Sequence, residues 1–222
     1  TLPNRLALRL RPDPSRVMLR PFKPATEPRD LNPTDLTRAN HIVARILGLD
    51  AAAAARLLGD VLANFRGRHR NLLASFEARA DEMEDALSRH PRFSQTQRRL
   101  VGAYFLSEYS FEAVALLNPS IVAHPDQSGA PPGGLRFILS LRAVGEGHIS
   151  SLTFRAGGIA ASGEVTMDAT SHLATRPSLQ PGLPDDGVAV HFPPEPDISE
   201  RGIFPVTEAQ SNAIEDARFV HF

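Results

Sequence analysis

The strongest constraint on the fold is a change in hydrophobic periodicity near residue 118. Before this point, apolar residues recur three and four positions apart, which is the spacing that places them on one face of an α-helix. After it, short apolar runs of strand length are separated by turns rich in glycine and proline. The sequence therefore predicts α-structure followed by β-structure, with a helical N-terminal region over 1–117 and a sheet domain over 118–222.

Helices in the first region are predicted from capping residues and from apolar stripes. Asn32-Pro33 is typical of a helix start, and Asp50 and Ser94 are candidate N-caps of two further helices. Another helix is predicted from Leu72 to Leu87, where apolar residues continue at helical spacing up to Pro91. A last short helix is predicted from Phe111 to Leu117, directly before Asn118-Pro119.

Strands dominate the second region. They are predicted over Leu135–Leu141, Ile149–Phe154, Glu164–Met167, Gly202–Val206 and Ala217–Phe222, with a proline-rich connection over 176–196. Near the N-terminus, Arg16 to Arg20 also alternates as a strand does. Consecutive strands with short turns indicate an antiparallel meander, the unit from which propeller blades and open sheets are built.

Composition excludes several classes of protein. The chain has no cysteine, which rules out disulfides, thiolate catalysis and sulfur-ligated zinc. No stretch approaches the ~18 consecutive apolar residues that a membrane span needs. The first residues alternate arginine with leucine and lack the continuous apolar core of a secretory signal. We therefore expect a cytoplasmic protein with no membrane partner.

Charge is distributed unevenly along the chain. Residues 1–110 hold 18 of the 24 basic groups and 12 of the 25 acidic groups. One hypothesis is a nucleic-acid footprint, and the other is a codon bias toward arginine with two halves of opposite charge. No run of basic residues exceeds two, and aromatic residues do not alternate with arginine as a base-stacking surface requires. The second hypothesis is favoured, so no nucleic-acid partner is expected.

Common catalytic motifs are absent from the sequence. It contains no GxSxG, P-loop, GxGxxG or HExxH pattern, and its eight histidines lack the spacing of metal ligands. No metal and no organic cofactor are therefore expected. Three polar segments remain as candidates for a site: Asn118-Pro119-Ser120, the stretch from Ser140 to Ser151, and the stretch from Ser211 to Phe219.

These three segments carry a resemblance to a known family. The chain resembles glycoside hydrolase family 130, the β-mannoside phosphorylases and mannosidases built on a five-bladed β-propeller. The matching features are Asn118-Pro119, a strand ending in Leu141-Arg142-Ala143, the pair Ser150-Ser151, and the segment Ile214-Glu215-Asp216-Ala217-Arg218. The family motif is Glu-Asp-Pro-Arg, and Ala217 stands here in place of its proline. The resemblance covers about 118–222, and it implies that this region is the first part of the propeller behind a helical extension.

The resemblance also implies roles for individual residues. Asp216 matches the family's proton donor, whose proton is thought to reach the glycosidic oxygen through a hydroxyl of the mannosyl ring. Sugar-binding roles are implied for six further residues: Asn118, Arg142, His148, Ser150, Glu215 and Arg218. The substrate would be a mannose-containing oligosaccharide, cleaved with inversion at the anomeric carbon. Inorganic phosphate would be the co-substrate of a phosphorylase, and activated water the nucleophile of a hydrolase.

Elementary chemistry leaves structural alternatives for the same residues. Ile214 and Phe219 flank Asp216 and would limit its solvation, which raises the pKa of a carboxyl group. Strand alternation would place Glu215 on the opposite face from Asp216 and Arg218 on the same face. Glu215 and Arg218 are equally compatible with an edge-strand ion pair, Asn118 with a helix stop before Pro119, and Arg142 with a solvated strand end. His148, between glycines, is either a ligand-binding or a structural residue.

The function prediction retains a rival from another class. Cleavage to mannose 1-phosphate is preferred over hydrolysis, because an intracellular enzyme then conserves the bond energy as a sugar phosphate. The alternative is a non-catalytic or degenerate module that binds a glycan or a protein partner. Since a propeller cleft is assembled from several blades, we expect residues 1–222 alone to be inactive. Whether the natural reading frame continues past Phe222 with further blade-like strands would distinguish the enzyme from the binding module. Homo-oligomerisation is left open.

Overall fold

The computed structural model describes residues 6–25, 38–83, 93–183, 187–194, 197–205 and 213–220. The chain forms two compact units. A helical unit comprises Leu19–Tyr109, and a sheet unit comprises Thr1–Met18 together with Ser110–Phe222. The residues before Leu19 thus belong to the sheet unit, which the change in periodicity at 118 did not indicate.

The described residues of the helical unit form four helices. They are α1 (Arg38–Leu47), α2 (Ala51–Asn64), α3 (Leu72–Glu82) and α4 (Gln95–Tyr104). Two short strands, β1 (Val17–Pro21) and β2 (Leu106–Ser110), precede and follow them in the chain and pair with each other. The predicted apolar stripes form one core, whose buried members are Val43, Ile46, Ala54, Leu58, Phe76, Leu100, Val101 and Phe105.

Two predicted helix caps are confirmed. The Asp50 side chain accepts a hydrogen bond from the backbone nitrogen of Ala53 at 2.7 Å, at the start of α2. Ser94 starts α4 with a reciprocal capping box, in which its side chain and that of Gln97 each accept from the other's backbone nitrogen. The predicted cap at Asn32-Pro33 and the end of the helix predicted to Leu87 lie outside the described residues.

The sheet unit is built on the predicted antiparallel meander. Its strands are β3 (Ala115–Ala123), β4 (Leu135–Val144), β5 (Ser150–Ile159) and β6 (Val165–Met167), in that order across the sheet. β9 (Gly202–Ile203) pairs antiparallel with β5, and β7 (Ser178–Leu183) and β8 (Gly187–His191) form a separate hairpin. In the part of the chain described, no helix is long and apolar enough to cross a membrane.

Two local predictions are wrong. The helix predicted from Phe111 to Leu117 is absent, because β3 begins at Ala115 and takes its backbone partners from β4, with Ala115 opposite Val144. Hydrogen bonds to a distant strand here override a helical spacing that is only seven residues long. The strand predicted from Ala217 is also absent over the described residues to 220, and the proline-rich connection contains β7 and β8.

A buried ionic network lies inside the sheet unit. Glu112, which is fully buried, pairs with Arg16 and accepts hydrogen bonds at 2.9 Å on both carboxylate oxygens from Arg155. Thr153 donates to the same carboxylate at 3.1 Å, and Arg16 also donates to the backbone oxygen of Ser199. The network therefore ties the N-terminal segment to the chain before β3, to β5 and to the turn before β9.

Burial affects the pKa of Arg16 in this network. It lowers the pKa of Arg16, and the attraction of Glu112 opposes the shift. The Arg16 guanidinium also lies 4.9 Å from the centre of the Phe111 ring, where a cation is attracted to the face of the ring. Glu112 pairs directly with both arginines, so it is the central residue of the network.

Removing the Glu112 charge is expected to destabilise the sheet unit. Glu112→Gln keeps the side chain's size but removes the charge of the one carboxylate that pairs directly with both buried guanidinium groups, a loss of about 3–5 kcal/mol. Urea unfolding followed by circular dichroism measures it. The matched control is Asp168→Ala, which removes the half-exposed partner of Arg136 in the same unit and is expected to cost about 0–1 kcal/mol. Equal losses for the two variants would contradict the role given to Glu112.

Candidate functional site

A β-bulge in β3 determines where Asn118 lies. Leu117 is opposite Arg142 and Ser120 is opposite Ser140, so β3 has one more residue than β4 between these two pairs. The extra residue falls at Asn118-Pro119, where proline has no N–H to give to the ladder. Asn118 takes a left-handed backbone with φ of 50°, which asparagine tolerates better than most residues. The pair is thus a bulge within a strand, not a helix stop, and it turns Asn118 out of the regular alternation.

Arg142 lies near the end of β4, opposite Leu152 of β5. Its side chain is 22% exposed. Its Nε donates to Ser150 Oγ at 3.0 Å, its Nη2 lies 2.8 Å from Glu215 Oε1, and its Nη1 lies 3.6 Å from Asp216 Oδ1. The guanidinium is therefore held from the sheet by a serine and met from the other side by two carboxylates, instead of being a solvated strand end.

The segment 213–220 brings the acidic residues to the sheet. Ala213 forms a bridge with Ser150, and the Ile214 nitrogen donates to the Ser150 oxygen at 3.1 Å. Further along, the Phe219 nitrogen donates to Ser120 Oγ at 3.2 Å. Between these anchors, Asp216 takes a left-handed backbone with φ of 48°. Two hydrogen-bonded ends and a left-handed residue between them direct the Asp216 carboxylate toward Asn118.

Six of the seven predicted site residues meet in one polar cluster. We use this name for Asn118, Arg142, Ser150, Glu215, Asp216 and Arg218. In addition to the contacts of Arg142, Asn118 Nδ2 donates to Asp216 Oδ1, and Arg218 Nη1 donates to the backbone oxygen of Asn118 at 3.3 Å. Residues up to 100 positions apart in the sequence are thus linked through direct polar contacts.

His148 lies apart from these contacts. It ends the short turn Glu146–His148 between β4 and β5, with an exposed side chain and a left-handed φ of 59°. Its backbone nitrogen donates to the Gly145 oxygen at 3.2 Å. Within the described residues, no polar contact joins its imidazole to the polar cluster. The left-handed backbone, at a position next to Gly147, supports the structural alternative for this residue.

Ser150 has a different place from the one the motif implied. It is only 1% exposed, and its hydroxyl accepts from Arg142 while its backbone oxygen accepts from Ile214. It therefore holds the two parts of the cluster together from beneath.

The predicted alternation of Glu215 and Asp216 is wrong, since both carboxylates approach Arg142. The reason is that 213–220 is irregular, so strand alternation does not apply to it.

The pKa expected for Asp216 is also corrected. The hydrogen bond from Asn118 lowers the pKa of Asp216 below its ordinary 3.8, and the charges of Arg142 and Arg218 add to this effect. Desolvation opposes it, but the carboxylate is 52% exposed, so Ile214 and Phe219 do not bury it as predicted. In this conformation Asp216 is an ionised hydrogen-bond acceptor at neutral pH.

The cluster carries hydrogen-bond donors and acceptors, some of them charged. It combines an amide, two guanidinium groups and two carboxylates, which together offer donors and acceptors to vicinal hydroxyls. The two carboxylates contact different nitrogens of the Arg142 guanidinium. Within the described ranges, no three histidine, aspartate or glutamate side chains are grouped so that they could hold a metal ion.

Comparison with known proteins adds no name to this site. No protein-family model matches the chain, and no significant match is found among curated proteins or solved structures. Membership of a family therefore remains an expectation that rests on the motifs.

Two residues that anchor the segment 213–220 beside the polar cluster were not predicted. Ser120 anchors the segment 213–220 through its hydroxyl, and Phe219 lies beside it with its ring 6.0 Å from that of Phe154. Both residues fall inside polar segments that the sequence singled out. A serine after a bulge and an aromatic residue after Arg218 carry no signal of their own, because their roles depend on the packing of one segment on the other.

The titration of Asp216 tests the electrostatics of the cluster. Carbon-detected NMR of the carboxyl group is expected to give a midpoint below 3.8, and Asn118→Ala is expected to raise it by removing the largest cause of the shift. Because the folded-state pKa is depressed, Asp216 contributes to stability fully above its unfolded pKa and loses this contribution as pH falls through the folded value. A midpoint above 3.8, or one that Asn118→Ala leaves unchanged, would contradict this account.

Proposed function

We propose that this chain forms part of the active site of a cytoplasmic enzyme that cleaves β-mannosidic bonds with inversion. In this proposal, it is a member of glycoside hydrolase family 130, and its sheet is the start of a five-bladed propeller. One observation carries the proposal. Six residues chosen from separate motifs, because of the resemblance, are found together in one polar cluster. A chance likeness gives no reason for such motifs to meet in space.

Arg142 and Asn118 bind the hydroxyls of the mannosyl ring in this proposal. Each already holds a carboxylate oxygen of the segment 213–220, so the sugar hydroxyls would replace carboxylate contacts that exist in the free protein. Ser150 acts as a positioning residue that fixes the Arg142 guanidinium from beneath. Glu215 and Arg218 supply the remaining polar groups around the sugar in this proposal. His148 is not part of the polar cluster and would contact the substrate from the turn Glu146–His148.

Asp216 can act as an acid only if its surroundings change on binding. The contacts that lower its pKa come from Asn118, Arg142 and Arg218. When sugar hydroxyls take over Asn118 and Arg142, those contacts are lost and the pKa of Asp216 rises back toward its ordinary 3.8. Exclusion of water by the bound sugar would raise it further, into the range that a general acid needs. Substrate binding would thus prepare the acid, whose proton travels through a ring hydroxyl to the glycosidic oxygen.

Phosphorolysis is the preferred form of the reaction. A phosphate oxygen would attack the anomeric carbon from the face opposite the leaving group as the glycosidic bond breaks, and the leaving oxygen would receive the proton. The products are mannose 1-phosphate of inverted configuration and the shortened acceptor sugar. The preference over hydrolysis comes from the conservation of bond energy in the sugar phosphate, and not from any phosphate contact of the described residues.

The second candidate is a non-catalytic module that binds glycans. It is favoured by the state of Asp216, which is held ionised by its neighbours as a binding residue is. Measuring binding and turnover separately distinguishes the two functions, because both predict that the polar cluster binds a mannoside and only the first predicts cleavage.

Replacing Asp216 by a residue that cannot donate a proton is expected to slow turnover strongly and to leave binding intact. Asp216→Asn keeps the shape of the side chain, so cleavage of β-mannobiose should fall by a factor on the order of 10² to 10⁴. Turnover is measured on the longest natural protein that contains this chain, with and without phosphate, and binding by calorimetry. Cleavage at the wild-type rate by the variant contradicts the acid role. Wild-type protein that binds mannobiose but never cleaves it favours the binding module.

Removing Arg142 is expected to weaken mannoside binding by about 1–3 kcal/mol, since its hydroxyl partners are left unsatisfied. The matched control is Arg136→Ala, which removes an arginine of similar exposure from the same strand, paired with Asp168 away from the cluster. Calorimetry gives affinity, and thermal unfolding gives stability. If Arg142→Ala binds mannosides normally, or if both variants lose the same affinity, Arg142 has a structural role.

A further inference from the structure

An apolar cavity lies on the sheet beside the polar cluster. It has a volume of about 160 Å³. Its walls include side chains of three strands and of the segment 213–220: Ser120, Val122, Ile138, Ser140, Phe154 and Phe219. No residue of the polar cluster is among those that line it, so the cavity is a separate feature of the same surface.

The cavity and the cluster follow one another along the strands. On β4, Ser140 lines the cavity and Arg142 belongs to the cluster, two residues further on. Side chains two apart on a strand point to the same face and are separated by about 7 Å. On β3, Ser120 lines the cavity directly after the bulge that carries Asn118. The two features are therefore neighbours on one face of the sheet.

Phe219 is held in a fixed position at the edge of this cavity. Its backbone nitrogen donates to Ser120 Oγ, and its ring meets that of Phe154 edge to face, with 6.0 Å between centroids and 67° between planes. Nevertheless, 39% of the residue stays exposed. An anchored aromatic ring with an open side, next to groups that bind hydroxyls, is a surface suited to an amphipathic ligand.

A pyranose ring has this amphipathic character, with hydroxyls at its edge and C–H groups on its faces. We propose that Phe219 forms a second sugar subsite, in which its ring stacks on the C–H face of the hexose next to the one held by the polar cluster. This inference rests on the proposed function. It assigns to the chain a preference for a mannose disaccharide over the monosaccharide, and it makes Phe219 the residue on which that preference depends.

The test compares two probes and three variants. Mannose and β-1,4-mannobiose are titrated by calorimetry and by ligand-observed NMR into the longest natural protein that contains this chain, as wild type and as Phe219→Ala, Phe219→Leu and Phe219→Tyr. Phe219→Ala should weaken mannobiose binding by roughly 2- to 10-fold, the range of an aromatic contact, and leave mannose binding unchanged. Phe219→Tyr should bind as the wild type does, because it keeps the ring. Phe219→Leu should resemble Phe219→Ala, because it keeps the apolar bulk alone.

Each other outcome overturns the inference in its own way. If Phe219→Ala weakens both sugars equally, Phe219 only shapes the polar cluster, and the proposed function stands without the subsite. If Phe219→Leu binds mannobiose as the wild type does, the contact is ordinary apolar packing. If no variant changes mannobiose binding, the cavity is not a subsite. If the folded wild-type chain binds neither sugar, the proposed function fails and the subsite with it; thermal unfolding of all four proteins verifies the folding.

Discussion

The sheet unit depends on the pairing of one buried carboxylate with two buried arginines. Glu112 pairs with Arg16 of the N-terminal segment and with Arg155 of β5. Arg16 also donates a hydrogen bond to the backbone before β9. Four parts of the chain that are far apart in sequence are held by charge-assisted hydrogen bonds among buried side chains. The face of β5 that carries Arg155 lies opposite the face that carries Phe154, so the network supports from behind the sheet on which the candidate site is built.

On the front face, a bulge and two left-handed residues convert regular strands into a site. The bulge at Asn118-Pro119 redirects an amide, and the left-handed backbone of Asp216 directs a carboxylate toward it. Conformations of this kind cost free energy and persist where the surroundings stabilise them. Here the stabilisation comes from the hydrogen bond between the two side chains and from the ion pairs of Arg142. The same contacts lower the pKa of Asp216 and keep its carboxyl group ionised at neutral pH.

In our proposal, the polar cluster and the apolar cavity together bind a carbohydrate. Guanidinium, amide and carboxylate groups offer directional partners to hydroxyls, and an adjacent aromatic ring offers a surface to C–H groups. Neither feature alone distinguishes a sugar from another polar or apolar ligand. Their juxtaposition on one face, two residues apart along β4, is the reason that we propose an oligosaccharide as the ligand instead of a small anion or an aliphatic partner.

The sequence by itself determined the elements whose causes are local. Caps at Asp50 and Ser94, the apolar stripes of the helices and the strands of the meander all follow from residues within a few positions of each other. The motifs also named six members of the polar cluster. Tertiary structure alone decided the strand at Ala115, the bulge at Asn118, the buried pairing of Glu112 and the lowered pKa of Asp216. Each of these depends on partners dozens of residues away, and spacing along a chain carries no record of which distant groups will share a hydrogen bond or a charge.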